Sequence, residues 1–321
     1  MIGQFISKDQ IARLAGQALR REDGQKPWID FDPTVMKSSY NRRSFLVSHR
    51  LPEHPLFTLE TLFSLCRRLG EVQAKVRFGE VPVDVDFDAS LGRYKRGLTL
   101  EDAIASLEEK KAYIAIYNPE RDPEYRVAIE GFLGEIAAQL GDLDPEINWY
   151  STYIFISAQG SVTPYHMDRE MNFLLQVKGR KTARLWDPFD EEIMTEAQKD
   201  ALLAYSGSRP EYHPSFEAKA TIYDLEPGIG VHHPFIAPHL VTTGPEVSVS
   251  LAITFRTRKS DTWAAAHRVN HYLRRVGLQP TPVARNPVLD VAKAAIVRPA
   301  LEVKNRLRRL RACWTDRKMD F

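Results

Sequence analysis

From about residue 148 to residue 255 the chain is a succession of short runs rich in β-branched and aromatic residues. Residues 149–157, 173–177, 182–186, 220–223, a run near Val231 and residues 247–255 each read as a strand. Lys178-Gly179 joins the second of these to the third, and residues 189–205 read as a helical or loop insertion. Several short strands at close spacing suggest a barrel or jelly roll rather than a helical bundle. The expected fold is mainly β, a barrel or jelly roll, with helices on its N-terminal and C-terminal sides.

The flanks carry helix punctuation. Ser7 with Gln10 opens an amphipathic stretch. Thr58 begins a second helix that Gly70 is expected to stop, and Thr99 with Asp102 begins a third. Asp122-Pro123 begins a fourth that ends at Gly141. Between the third and fourth, residues 112–117 (AYIAIY) read as a strand. After residue 259 Ser260 is expected to cap a helix over 261–276 that Gly277 ends. A Pro-containing link over 279–287 then leads to a last helix broken by Pro299. Three segments follow: 1–110 packing on the core, 111–258 as the core, and 259–321 as a helical extension.

Composition narrows the setting. Of 321 residues 43% are hydrophobic, which suits a globular chain with a real core, and the formal net charge is only +2, so bulk charge names no partner. Two cysteines, Cys66 and Cys313, make neither a disulfide framework nor a thiolate metal site, and they suit a reducing compartment. No secretory leader and no apolar stretch of membrane-spanning length is evident, so a cytoplasmic location is expected.

His166-Met167-Asp168 stands just before a strand-like run. Side chains two apart on extended backbone face the same side, so this His and Asp can grip one cation together. A third ligand has to come from elsewhere: His239, or one of His232 and His233. Two histidines and a carboxylate leave open positions on an octahedral ion, as in non-haem Fe(II) oxygenases.

The stretch GSVTPYHMD over 160–168, followed by Asn172-Phe173, Gln176, Lys178-Gly179 and Lys181, resembles the metal-binding core of the jumonji C family, on the side of its asparaginyl hydroxylase branch. Pro227-Gly228 leads to Pro238-His239 at the spacing of that family's distal histidine segment, and the run Ser248-Val249-Ser250-Leu251 resembles its closing strand. The resemblance covers roughly residues 110–256, and it implies that the core is a double-stranded β-helix (jelly roll, cupin-like). It implies Fe(II) held by His166, Asp168 and His239, with 2-oxoglutarate and O₂ as co-substrates and succinate and CO₂ as co-products. It further implies that Lys181 pairs with the distal carboxylate of 2-oxoglutarate, that Thr163 and Tyr113 complete that pocket, and that Asn172 lies beside the co-substrate. No catalytic side chain beyond the metal centre is implied. Where the family has tryptophans before the distal histidine this chain has Ile236-Ala237, and Ala252 and Ile229 replace a common asparagine and aspartate. The substrate side of the pocket therefore departs from that of familiar members.

The expected activity is hydroxylation of a C–H bond in a polar small molecule, a saccharide or lipid-linked sugar, or a protein side chain. Two other classes stay open: a cupin-type metal isomerase, and a non-catalytic regulatory module acting through the basic segment 304–311. No nucleic-acid-binding module flanks the core, so no nucleic-acid partner is expected. The basic C-terminus offers peripheral membrane contact. The apolar positions Leu289, Ile296, Val297 and Leu301 offer a homodimer interface.

Overall fold

The structure, a computed structural model, describes residues 3–20, 26–87, 90, 93–144, 146–207 and 209–297. Ahead of the core run β1 (Gln4–Phe5), α1 (Lys8–Leu19), β2 (Ile29–Asp30), α2 (Pro33–Ser39), β3 (Phe45–His49), α3 (Leu59–Gln73), β4 (Ala74–Phe78), α4 (Leu100–Ala105), β5 (Ala112–Tyr117) and α5 (Pro123–Leu140). The core follows as β6 (Ile147–Ser157), β7 (Val162–Met167), β8 (Met171–Lys178), β9 (Lys181–Leu185), β10 (Thr221–Leu225), β11 (Ile229–His233), β12 (Pro238–Thr243) and β13 (Ser248–Thr257). Helix α6 (Glu196–Ala204) interrupts it, and α7 (Arg258–Arg275) succeeds it.

Two antiparallel sheets result. One has the order β2-β3-β11-β8-β13-β6-β5-β4, with β1 also on β6, and the other has the order β10-β9-β12-β7. From β6 onward the chain passes between them: β6, β8, β11 and β13 lie in the first sheet, and β7, β9, β10 and β12 in the second. That winding is the double-stranded β-helix expected from the sequence. Leu174, Val231 and Ala252 from one sheet pack with Ala183, Leu185, Leu225 and Val241 from the other in a single apolar cluster. Alternate residues along each strand thus turn inward, as sheet-on-sheet packing requires. At the turn between β8 and β9 Gly179 has φ +65°, and a Cβ there would collide with the Val247 carbonyl, so only glycine serves.

The N-terminal segment builds the same large sheet outward. β3 and β2 extend it beyond β11, and β5 and β4 extend it beyond β6. Ser7, Asp32, Thr58, Thr99 and Asp122 each cap a helix through the side chain, as the local signals at Ser7, Thr58, Thr99 and Asp122 predict. Gly70 does not end α3: it takes a left-handed φ of +64°, and the chain resumes helical turns as far as Gln73. Gly134 on α5 faces the Leu14 carbonyl on α1, where an added Cβ would come within 2.8 Å, so the two helices approach backbone to backbone.

The described residues fall into two units, those within 1–194 and 209–258 and those within 195–208 and 259–321. In the second, Thr195 caps α6 through a capping box with Gln198. The Asp200 carboxylate, fully buried, accepts hydrogen bonds from His267 Nδ1 (2.7 Å) and Arg274 Nε (2.8 Å) on α7. Helix α7 begins at Arg258, directly after β13, so Ser260 is buried in its first turn and is not its cap. A further helix starts at Pro287 and continues through residue 297, with Leu289 half-buried and Ile296 exposed. Pro299, Leu301 and the basic segment 304–311 lie outside the described residues. Among the described residues no helix is long and apolar enough to cross a membrane.

Candidate metal centre and its pocket

Pro164, a residue that cannot donate to a ladder, sits inside β7. It is tolerated because β7 is the outermost strand of the small sheet. Along β7 the side chains alternate. Tyr165 turns to an aromatic cluster with Trp186, Tyr212 and Phe216, while His166 turns into the space between the sheets. Asp168, just beyond the end of β7, shares that side, with Oδ1 4.0 Å from His166 Nε2.

His239 on β12 is the direct register partner of His166. Ligand atoms of His166, Asp168 and His239 all lie within 4.8 Å of one another, and no other group of this kind occurs among the described residues. Each histidine places Nδ1 on a backbone carbonyl: His166 on Pro164 O at 2.8 Å and His239 on Ala237 O at 3.0 Å. A carbonyl only accepts, so Nδ1 carries the proton and Nε2 keeps its lone pair for a metal. Burial holds both imidazoles below their ordinary range, so they stay neutral; for His239 the Asp168 charge opposes this in part. The donor set fits a divalent first-row ion with open positions. Phe87 stacks on the His166 ring, with centroids 3.8 Å apart and planes 2° from parallel.

One pocket contains this triad together with Tyr113, Thr163, Asn172 and Lys181. All seven residues singled out from the sequence are thus brought together. Lys181, at the start of β9, donates to Ser250 Oγ at 2.7 Å and is 3% exposed. Burial first, and then the charge of Arg77, pulls its ammonium down to about 7. The Tyr113 hydroxyl lies 3.3 Å from Thr163 Oγ1.

Arg77 on β4 is the residue that sequence reading missed. It is 2% exposed, and its guanidinium lies 3.9 Å over the Tyr113 ring and donates to the Val162 carbonyl. Among the described residues neither Arg77 nor Lys181 has a carboxylate partner. In the alternating run AKVRF Arg77 shares its face with the exposed Lys75, so the pattern marked it as solvent-facing although it is buried.

The adjacent pair His232 and His233 divides between opposite sides of β11. His232 packs among Tyr40, Phe45 and Phe173, and its Nε2 accepts from Asn41 N at 3.3 Å. His233 lines the pocket, with its ring 4.4 Å from that of His239, but it does not join the metal cluster.

No family model matches this chain, and no curated protein matches it. Among solved structures it is similar to the Escherichia coli ribosomal oxygenase YcfD. One such structure is 15% identical, with a TM-score of 0.43, over 86% of this chain and 67% of that one. A second is 13% identical, with a TM-score of 0.44, over 82% and 62%. A third, in complex with cobalt and 2-oxoglutarate, is 14% identical, with a TM-score of 0.43, over 79% and 60%. The chain thus spans between 60% and 67% of the length of these three oxygenase structures.

Proposed function

We propose that this chain is an Fe(II)- and 2-oxoglutarate-dependent oxygenase. One observation carries the reading: a two-histidine, one-carboxylate cluster opens into the same pocket as two buried cations that have no carboxylate partner among the described residues. A buried charge is costly unless it is paired, and a dicarboxylate keto acid supplies the missing partner.

In this reading His166, Asp168 and His239 hold the metal. Lys181 binds the distal carboxylate of the co-substrate by a charge-assisted hydrogen bond, with Thr163 and Tyr113 adding hydroxyls. Asn172 lies beside the co-substrate. When bound, iron would supply the chemistry by which O₂ oxidises 2-oxoglutarate and a substrate C–H bond together, one oxygen atom entering succinate as CO₂ leaves and the other becoming the product hydroxyl. The chain orients these groups and excludes water. Phe87 fixes the ring of His166, and the aromatic wall of Tyr153 and Phe155 lines the pocket. No side chain is required as a general acid or base. A metal-only reaction would leave Lys181 and Arg77 without any counter-charge. The substrate is a polar small molecule, a saccharide or a protein side chain.

Calorimetric titration of Co(II)-loaded protein with 2-oxoglutarate under argon tests this reading. Binding that needs the metal and is lost in Lys181→Ala supports it. No binding with the metal in place would remove it.

A further inference from the structure

The helix over residues 287–297 reverses the usual polarity of a surface helix. Its only charged residues, Asp290 and Lys293, are buried, at 2% and 6% exposed. Asp290 Oδ2 accepts from Ala284 N, and Lys293 Nζ donates to the Thr281 carbonyl, each at 2.9 Å. Those two bonds tie the helix to the link before it and fix which side faces out. The outward side is Pro287, Val288, Val291, Ala292, Ala295 and Ile296, all of them exposed. Val288 is 80% exposed and Ile296 71%. Positions 288, 291, 292, 295 and 296 make one helical face, and no polar side chain interrupts it. A surface helix ordinarily gives that face to the core and its charges to water. Here the charges turn inward and water meets only apolar side chains, which marks a surface that another body covers.

The adjoining sequence says what kind of body. From Arg298 to Arg311, outside the described residues, the chain carries six Lys and Arg and one acidic residue, Glu302. An apolar helical face followed at once by a polybasic run supplies the two signals that peripheral attachment to a membrane needs. The apolar side chains enter the boundary between headgroups and acyl chains, and the cations meet anionic headgroups. A second copy of the chain fits less well. A helix of this length runs about 16 Å, so the face covers on the order of 200 Å², against about 800 Å² per partner in a stable dimer. A second copy would also bring a second set of the same cations.

We propose that the exposed face of helix 287–297, together with the basic segment after it, docks on an anionic lipid surface. This contact stands independently of the oxygenase reading.

The test is co-sedimentation of the full chain with vesicles of phosphatidylcholine containing about 30% phosphatidylglycerol, with pure phosphatidylcholine vesicles alongside. Binding to the anionic vesicles is expected to be at least tenfold tighter than to the neutral ones, and to weaken as salt rises. Val291→Glu with Ile296→Glu, and separately Arg308→Ser with Arg309→Ser, are each expected to weaken it tenfold or more. Val291→Leu with Ile296→Leu keeps it. Circular dichroism shows that the fold persists in each variant. Absence of binding to the anionic vesicles overturns the proposal. So does equal binding to both vesicle types, or undiminished binding in Val291→Glu with Ile296→Glu, which would leave the basic segment alone as the contact. Sedimentation velocity reads the competing occupant: a dimer that the two glutamates dissociate assigns the face to a second copy and overturns the proposal.

Discussion

His166 and His239 stand opposite one another in the β7–β12 ladder, their ring centroids 4.1 Å apart, and each sets Nδ1 on the backbone carbonyl two residues before it. The strands themselves therefore choose the tautomer and aim both free nitrogens before any metal arrives. His166→Ala and Asp168→Ala are each expected to weaken Co(II) binding by about 100-fold or more, since a ligand contributes more than the outer partners whose loss costs 10–100-fold. Titration followed by the cobalt absorption bands measures this, with circular dichroism checking that the fold persists. Retained affinity in both variants would separate this cluster from metal binding.

Lys181 is expected to show two effects of opposite sign. In the ligand-free protein it is a buried amine that donates to the Ser250 hydroxyl and has no carboxylate partner among the described residues. Below pH 7, where the amine is protonated, Lys181→Met removes a desolvated charge and is expected to stabilise the ligand-free chain by about 1–2 kcal/mol, a rise of several degrees in Tm. The same variant is expected to lose 2-oxoglutarate binding by about 100-fold or more, as truncating a buried charge pair does. Melting curves with and without 2-oxoglutarate show both effects together. A destabilised ligand-free variant would assign Lys181 a structural role.

Burial and the neighbouring Arg77 set the Lys181 ammonium at about 7 in the ligand-free state. A bound carboxylate favours the protonated form and raises that value, so binding above pH 7 takes up a proton. The affinity for 2-oxoglutarate is then level below pH 7 and falls as pH rises above it, by at most about tenfold per unit. Arginine stays charged throughout this range, so Lys181→Arg should flatten the profile whatever its affinity. Calorimetry in buffers of different ionisation enthalpy reads the proton uptake directly. A flat wild-type profile would place the distal carboxylate away from Lys181.

In the second unit Asp200 receives both His267 and Arg274 while fully buried. Asp200→Ala leaves that arginine without its carboxylate and is expected to cost about 3–5 kcal/mol. Urea unfolding measures it. A loss below 1 kcal/mol would mean that water replaces the carboxylate.

The β-rich core was legible because its strands are dense in β-branched and aromatic residues, and the resemblance, through the spacing of Pro238-His239 after Pro227-Gly228, pointed to His239, which lies opposite His166. Strands β7 and β12 were not, and proline is the reason. Pro164 interrupts one and Pro238 opens the other, both at positions a sheet accepts only at an edge or a strand start. Ser260 looked like a helix cap because Ser is a good one, yet β13 runs into α7 with no break. Arg77 gave no signal, because AKVRF alternates apolar and charged residues and sets Arg77 on the same face as the exposed Lys75, which reads as a solvent face. Adjacent residues on a strand point to opposite faces, so only one of His232 and His233 can meet the pocket. Which one met the pocket depended on the pairing of β11 with β8, a contact between distant parts of the chain.

The most direct test of the oxygenase reading is succinate formation by anaerobically purified protein given Fe(II), ascorbate, 2-oxoglutarate and air, with His166→Ala alongside. The account predicts slow succinate release by the wild type in the absence of substrate and none by the variant. Equal release by both, or none from a wild type that also fails to bind 2-oxoglutarate, would contradict it.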